Sequence, residues 1–255
     1  MLLAIDIGNT GLGIGIFEGE KLRVNWRMAT SISRTPDEYA ALLFALLQQE
    51  GLNTADITDA CLCSVVPPVT STLENLCSRY FHIKPLVVGA GTKTGVKIRM
   101  DNPREIGPDR IVHSAAAHVL YDGYLIIVDF GTATTFDTVT KNGEYTGGAI
   151  APGFQTSAEA LVARTALLHR VKLMRPAKTI GTNTDAAMQS GIVFGYVGLV
   201  EGMVNRIQKE LPEKARVIAT GGYLDIIAKE TNVIDIINPD LILIGLKMVY
   251  AMNKV

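Results

Sequence analysis

The chain has 255 residues, 48% hydrophobic and 19% charged, with a formal net charge of −1. That length holds one large domain or two of about 120 residues each, with apolar content enough for a substantial core. The near-zero charge and the lack of any basic stretch argue against a surface that grips nucleic acid through counterion release.

The opening run Leu2-Leu3-Ala4 leads into Ile5-Asp6-Ile7-Gly8-Asn9-Thr10. This reads as a strand and a tight turn, and the alternation from Gly11 to Phe17 reads as a second strand. A turn of Gly8, Asn9 and Thr10 offers backbone N–H groups and a hydroxyl to an anion, and Asp6 beside it can hold a divalent metal against that anion. An Asx-turn would explain the same residues without a ligand. A dinucleotide-binding turn does not fit, because a helix must follow its glycines and Gly11 to Phe17 has period two.

A third strand is expected over Lys21–Thr30. Thr35-Pro36-Asp37-Glu38 then starts a helix, with Thr35 as N-cap, Pro36 at the first position and Glu38 closing a capping box. Its apolar stripe is Tyr39, Leu43, Leu46 and Leu47. A buried strand spans Asp59–Val66, Pro67-Pro68 opens a helix to about Phe81, and Lys84–Gly89 is a further strand. Cys61 and Cys63 share one face of their strand. With Cys77 they make an odd count without zinc spacing, so buried free thiols are expected. The polar stretch Thr92–Gly107 reads as irregular. Gly107-Pro108-Asp109-Arg110 closes it and opens a helix from Ile111 to about Tyr121. Asp109 suits a helix N-terminus, and the fork of Arg110 suits a carboxylate or phosphate. His113 and His118 on that helix are too far apart in register to share a metal.

The opening then recurs. Ile126-Ile127-Val128-Asp129-Phe130-Gly131-Thr132 is again an apolar run ending in Asp-x-Gly and a hydroxyl. Alternating strands follow over Thr134–Thr140 and Tyr145–Gly153, joined through Asn142-Gly143-Glu144. Asp6 and Asp129 lie 123 positions apart. Duplication of a whole unit is a stronger signal than either half, and two Asp-Gly turns can clamp a polyphosphate from both sides.

Beyond the repeat, Phe154–Leu168 reads as a helix. A second, long helix spans about Asp185–Leu211, capped by Asn183 or Thr184. Gly191, Gly195, Gly198 and Gly202 cost that helix about 1 kcal/mol each relative to alanine. They point to close approach of another backbone, in the core or across a dimer, with the core favoured. Arg216–Thr220 is a strand, and Gly221-Gly222 after it lets a flat ligand lie against the backbone. Val233–Ile237 is the last strand, and Asn238-Pro239-Asp240 starts the last helix. The N-terminus has no basic segment or cleavage site, and no run of 18 apolar residues occurs. The expectation is a cytoplasmic protein without a membrane span.

Each half therefore reads as three meandering strands followed by alternating helices and strands. This α/β arrangement resembles the acetate and sugar kinase, heat-shock protein 70 and actin superfamily. The resemblance implies duplicated ribonuclease H-like (actin-like) domains, residues 1–115 and 116–255, with a nucleotide cleft between them. Asp6-x-Gly8-Asn9-Thr10 and Asp129-Phe130-Gly131-Thr132 resemble its two phosphate motifs, and Ala219-Thr220-Gly221-Gly222 its adenosine motif. Within the superfamily the chain resembles the type III pantothenate kinases. The matching stretches are Asp6–Thr10, Gly107–Arg110, Asp129–Thr135, Gly147–Gly153 and Gly221-Gly222, in order. A tyrosine frequent in that family shortly before the Asn-Pro of the polar loop is absent, and Met100 precedes Asp101-Asn102-Pro103.

The resemblance implies transfer of phosphate from ATP to the primary hydroxyl of pantothenate, the first step toward coenzyme A. Asp109 would be the general base, with Gly107, Pro108, Asp109 and Arg110 around the substrate. Asp6 would organise Mg²⁺, while Gly8, Asn9, Thr10, Gly11 and Gly13 wrap the phosphates. Thr132, Gly221 and Gly222 would contact the nucleotide. Asp129 would hold a monovalent cation, K⁺ or NH4⁺, in a chain without a P-loop lysine. Thr184 would reach pantothenate across a homodimer interface. The rivals are an ATP hydrolase and a non-catalytic regulator on the same scaffold. The Gly-Pro-Asp-Arg motif disfavours the first, and the retention of Asp6, Asp109 and Asp129 the second.

Overall fold

A computed structural model describes residues 1–254. Two compact units are present. One gathers Met1–Val96, Asn102–Ala116 and the chain from Asp240 onward; the other holds Lys97–Asp101 and Ala117–Pro239.

In the first unit, β1 (Leu2–Ile7), β2 (Gly11–Glu18) and β3 (Lys21–Ala29) pair antiparallel. β4 (Asp59–Ser64) and β5 (Leu86–Val87) join in parallel, giving the order β3-β2-β1-β4-β5. The first four residues of β1, Leu2–Ile5, are all apolar and buried because both faces of the strand are covered. Leu3, Ile5 and Ile7 pack with Tyr39, Leu43 and Leu47 of α1 (Pro36–Gln49), and Leu2 and Ala4 pack with Ile242, Leu243 and Leu246 of α7 (Leu241–Asn253). The last helix thus completes the core of the first unit. The capping box forms as expected: Glu38 N–H donates to the Thr35 hydroxyl at 3.3 Å, and Thr35 N–H to the Glu38 carboxylate at 2.8 Å. β4 stops at Ser64, two residues short of the expectation, because the Ser64 hydroxyl takes Val66 N–H at 3.0 Å and starts the turn. α2 (Pro67–Leu76) opens at the proline pair, then widens into a π-helical turn over Cys77–Phe81 that ends on left-handed His82. α3 (Pro108–Leu120) begins at Pro108 and not Ile111, since proline needs no N–H partner in a first turn. The cysteines are free and buried, and burial pushes the Cys61 and Cys77 thiols up to about 12.

The second unit repeats this order. β7 (Leu125–Phe130), β8 (Ala133–Val139) and β9 (Glu144–Pro152) form the antiparallel meander, and β10 (Arg216–Gly221) and β11 (Ile236–Ile237) add in parallel beside β7. From β9 to β11 the order and directions match β3 to β5, and both hairpins shift register at matching places, Ile16/Phe17 and Thr138/Val139. The expected duplication is thus present strand for strand. One strand is added: β6 (Lys97–Ile98), from the stretch expected to be irregular, pairs with β9.

Three expectations for this unit are corrected. α4 (Phe154–Ala163) stops before Leu168, because Arg164 leaves helical geometry and the Thr165 hydroxyl turns back to the Leu161 carbonyl at 2.9 Å. β11 is shorter than Val233–Ile237, because the Asp235 carboxylate takes Val217 N–H at 2.8 Å beside the ladder. On α5 (Thr184–Glu210), Gly191, Gly195 and Gly198 are exposed, and a Cβ on any of them would meet nothing within 4 Å, so they do not serve this unit's core. By length and composition α5 could cross a bilayer, yet Val193, Val197, Val200 and Val204 are buried, as on the core helix of a globular unit.

Candidate active site

Asp6 and Asp129 fall at equivalent strand ends of the two sheets, each the penultimate residue of its strand. In the first unit Asp6 is the penultimate residue of β1, cross-strand from Gly13 on one side and Cys63 on the other. The turn after it is braced within itself and from β3. Gly8 N–H donates to the Gly11 carbonyl at 3.0 Å, the Thr30 hydroxyl donates to the Gly8 carbonyl at 2.7 Å, and Thr30 N–H donates to the Thr10 carbonyl at 3.2 Å. Asn9 and Thr10 are left exposed at its tip. A chain reversal with its carbonyls tied back and its tip in solvent presents N–H groups outward, which suits an anion.

Asp109 is the second residue of α3, and its Oδ1 is buried with no hydrogen-bond partner among the described residues. Burying an acceptor without a donor is costly, so this oxygen is open to a donor from outside the protein chain. Gly107 makes room for it: a Cβ there would stand 2.4 Å from Oδ1. Pro108 occupies the first helical position. Arg110 is half-buried, and its backbone carbonyl receives the Ser114 hydroxyl at 2.7 Å. Cys63 reports that the two carboxylates share one neighbourhood. Its thiol is pushed well above the usual range, first by burial and then by the charges of Asp6 and Asp109. Asp6, Gly8, Asn9, Thr10, Gly11 and Gly13 are thus gathered with Gly107–Arg110 within the first unit.

In the second unit Asp129 takes the place of Asp6, cross-strand from Thr135 and Thr220. Its turn is closed by Gly131 N–H donating to the Ala133 carbonyl at 3.0 Å, leaving Thr132 exposed. Gly153 N–H and the Thr156 hydroxyl both donate to the Thr132 carbonyl, at 3.1 and 2.7 Å. Gly221 has φ +94, and a Cβ on it would lie 2.5 Å from Asp129 Oδ1; Gly222 N–H donates to the Phe130 carbonyl at 2.8 Å. Asp129, Thr132, Gly221 and Gly222 therefore meet at one strand end. Thr184 stands elsewhere, at the first position of α5. The cap is Asn183, whose side chain accepts Ala186 N–H at 2.9 Å. Thr184 lines an open apolar groove of about 650 Å³ with Leu161, Gly191, Gly195 and Leu199.

Sequence reasoning did not single out Thr30, Cys63 or Gly153 as site residues. For Gly153 a signal existed: it lies as far beyond Thr30 as Asp129 lies beyond Asp6. No group of three or more His, Cys, Asp or Glu among the described residues could hold a metal alone. The single carboxylate of Asp6 beside an anion-binding turn fits Mg²⁺, which takes one or two carboxylates and completes its shell with phosphate and water.

Comparison with known proteins adds the following. A family model for type III pantothenate kinase matches residues 2–206. A type III pantothenate kinase from Dehalococcoides mccartyi (strain CBDB1) is 58% identical over 254 residues, covering 100% of this chain and 97% of its own. A solved Campylobacter jejuni structure, described as a Baf family transcriptional activator, aligns with a TM-score of 0.61 at 18% identity over 98% of both chains. A Sinorhizobium meliloti structure, described as a 2-dehydro-3-deoxygalactonokinase, aligns with a TM-score of 0.58 at 11% identity, over 100% of this chain and 98% of that one. At such identities these two likenesses speak for fold alone, and the fold is a pair of ribonuclease H-like, actin-like α/β domains.

Proposed function

The chain belongs to the type III pantothenate kinase family, and from that premise we propose how its residues carry the phosphorylation of pantothenate by ATP to 4′-phosphopantothenate, the first step of coenzyme A biosynthesis. Asp109 is the general base. The observation that carries this assignment is its buried Oδ1 without a hydrogen-bond donor. A base must keep a lone pair available for the substrate hydroxyl, and the buried Oδ1 offers one. Asp109 takes the proton of the primary hydroxyl. That oxygen bonds to the γ-phosphorus, the bond to the β–γ bridging oxygen breaks, and ADP leaves.

The remaining roles are positioning and charge compensation, which dominate phosphoryl transfer. The turn at Gly8–Gly13 receives the phosphates. Asp6 holds Mg²⁺, which neutralises charge on the β- and γ-phosphates when bound. Arg110 orients pantothenate or stabilises the transferred group. Thr132, Gly221 and Gly222 contact the nucleotide. Asp129 holds K⁺ or NH4⁺, supplying positive charge that no P-loop lysine provides. The α5 face with Gly191, Gly195 and Gly198 receives a second copy of the chain, and Thr184 reaches pantothenate across that interface. The exposed glycines favour this reading, since they lower helix stability without serving the core of their own unit. The enzyme works in the cytoplasm.

The test is ADP release with Mg-ATP, with and without pantothenate, in potassium and in sodium, for the parent chain and Asp109→Asn. The expected result is pantothenate-dependent turnover that falls about 10²–10⁴-fold in the variant. ADP release indifferent to pantothenate makes the chain a hydrolase, and unchanged turnover in Asp109→Asn removes the base.

A further inference from the structure

The second unit holds a cavity of about 360 Å³ with Tyr223, the residue after its glycine pair, in the wall, within the range of small-ligand pockets. Its walls are mostly apolar, including Val162, Leu173, Met188 and Ile192, and its charged groups are one of each sign, Glu159 and Arg170. Such a lining suits a neutral flat group better than a phosphate or a carboxylate.

Tyr223 is set into this wall in an unusual way. It directly follows Gly221-Gly222, and it is one of two non-glycine residues with positive φ among those described, at φ 57. A non-glycine side chain in left-handed backbone costs free energy and persists where the surroundings hold it. Here the ring stands edge-on to Phe154, with centroids 5.1 Å apart and planes at 62°, and the hydroxyl donates to Gln155 Oε1. Gln155 in turn donates to Glu159 at 2.8 Å. Phe154 follows Gly153, where an added Cβ would collide with the Gly131 and Thr132 carbonyls. The three segments that meet at the Asp129 strand end therefore also fix this ring, and 37% of Tyr223 remains exposed.

We propose that Tyr223 is the stacking surface for the base of the phosphoryl donor, with the cavity as the base's recess. The inference rests on the reading that the donor is a nucleotide. Stacking uses the face of the base, so the contact tolerates any base and fails only when the base is missing.

The test is equilibrium binding of ATP and of inorganic triphosphate, each with Mg²⁺ and without pantothenate, to the parent chain, Tyr223→Asn and Tyr223→Phe. Asparagine tolerates left-handed backbone and keeps the turn while removing the ring. Tyr223→Asn is expected to weaken ATP binding roughly tenfold and to leave triphosphate binding unchanged, whereas Tyr223→Phe keeps ATP affinity. In turnover the KM for ATP rises in Tyr223→Asn while kcat holds. Equal ATP affinity in the parent and Tyr223→Asn overturns the proposal, as does an equal loss for ATP and triphosphate. A parent chain that binds ATP in a Tyr223-dependent way but never consumes pantothenate keeps the stacking assignment and removes the kinase reading. Pantothenate-dependent turnover indifferent to Tyr223 does the reverse.

Discussion

The two Asp-x-Gly turns sit on matching scaffolds and are braced by different means. In the first, β3 is followed by Thr30, whose hydroxyl and N–H hold the Gly8 and Thr10 carbonyls. In the second, β9 is followed by Gly153, whose N–H holds the Thr132 carbonyl and whose backbone leaves no room for a Cβ against the turn. The first turn has three residues between its strands, Gly8, Asn9 and Thr10; the second has two, Gly131 and Thr132. A longer turn needs a side chain to span the gap, and a shorter one leaves no room for it. Duplication preserved the strand frame and let each turn specialise. The first, with its outward tip, suits phosphate and a divalent metal. The second, with Gly221 close against Asp129, is the one proposed above for a large, weakly hydrated monovalent ion and the nucleotide.

Exchange of the two carboxylates for amides gives the sharpest test. Asp6→Asn is expected to lower kcat about 10²–10³-fold in any salt, the size typical of losing one preorganised source of charge stabilisation, here the hold on Mg²⁺. Asp129→Asn is expected to erase the difference between potassium and sodium and to keep the rate seen in sodium. Steady-state rates of both variants in both salts decide it. The same salt response in both variants would mean that the turns do not divide the ions between them.

Gly153→Ala breaks the second brace. A Cβ there would lie 2.3 Å from the Gly131 carbonyl oxygen and 2.4 Å from that of Thr132. Backbone cannot yield as the end of a side chain can, so the expected loss is about 3 kcal/mol. It should appear as a lower urea midpoint with an unchanged slope. A midpoint equal to that of the parent would mean that the second turn is as tolerant as the first.

The strand frame and the Asp-Gly turns were legible because local chemistry dictates them. Period-two alternation, Gly-Asn-Thr and Phe-Gly-Thr after apolar runs, and the Thr35–Glu38 box each specify structure within a few residues. What escaped depends on contacts distant in sequence. The apolar pattern of α7 says that it is buried and not which sheet buries it. β6 is two residues long and exists because β9 offers an edge. The glycines of α5 read as core contacts because sequence shows their cost to the helix and not the direction they face. In the site, Asp6, Asp109, Asp129 and the glycine pair carried motif signals. Thr30 and Cys63 did not, since a threonine just past one strand and a cysteine within another come beside Gly8 and Asp6 only through register.

Thr30→Val is the smallest perturbation and bears most directly on why the turns differ. It removes the hydroxyl bond to the Gly8 carbonyl and leaves the backbone bond from Thr30 N–H to Thr10 in place. One such bond contributes about 1 kcal/mol net, so the urea midpoint should fall slightly. The functional effect should exceed the stability effect. Freeing the Gly8 carbonyl lets the Gly8–Asn9 peptide rotate, and that peptide carries an N–H at the tip of the turn. The KM for ATP is expected to rise severalfold with kcat nearly unchanged. Thr30→Gly then tests whether the brace of the second turn can serve the first. It reproduces the residue type at Gly153 on a turn one residue longer, so it should lose the hydroxyl bond without gaining the close approach, and its KM should match that of Thr30→Val. Recovery of the parent KM in Thr30→Gly would show that turn length, and not the side chain, makes the two sites different.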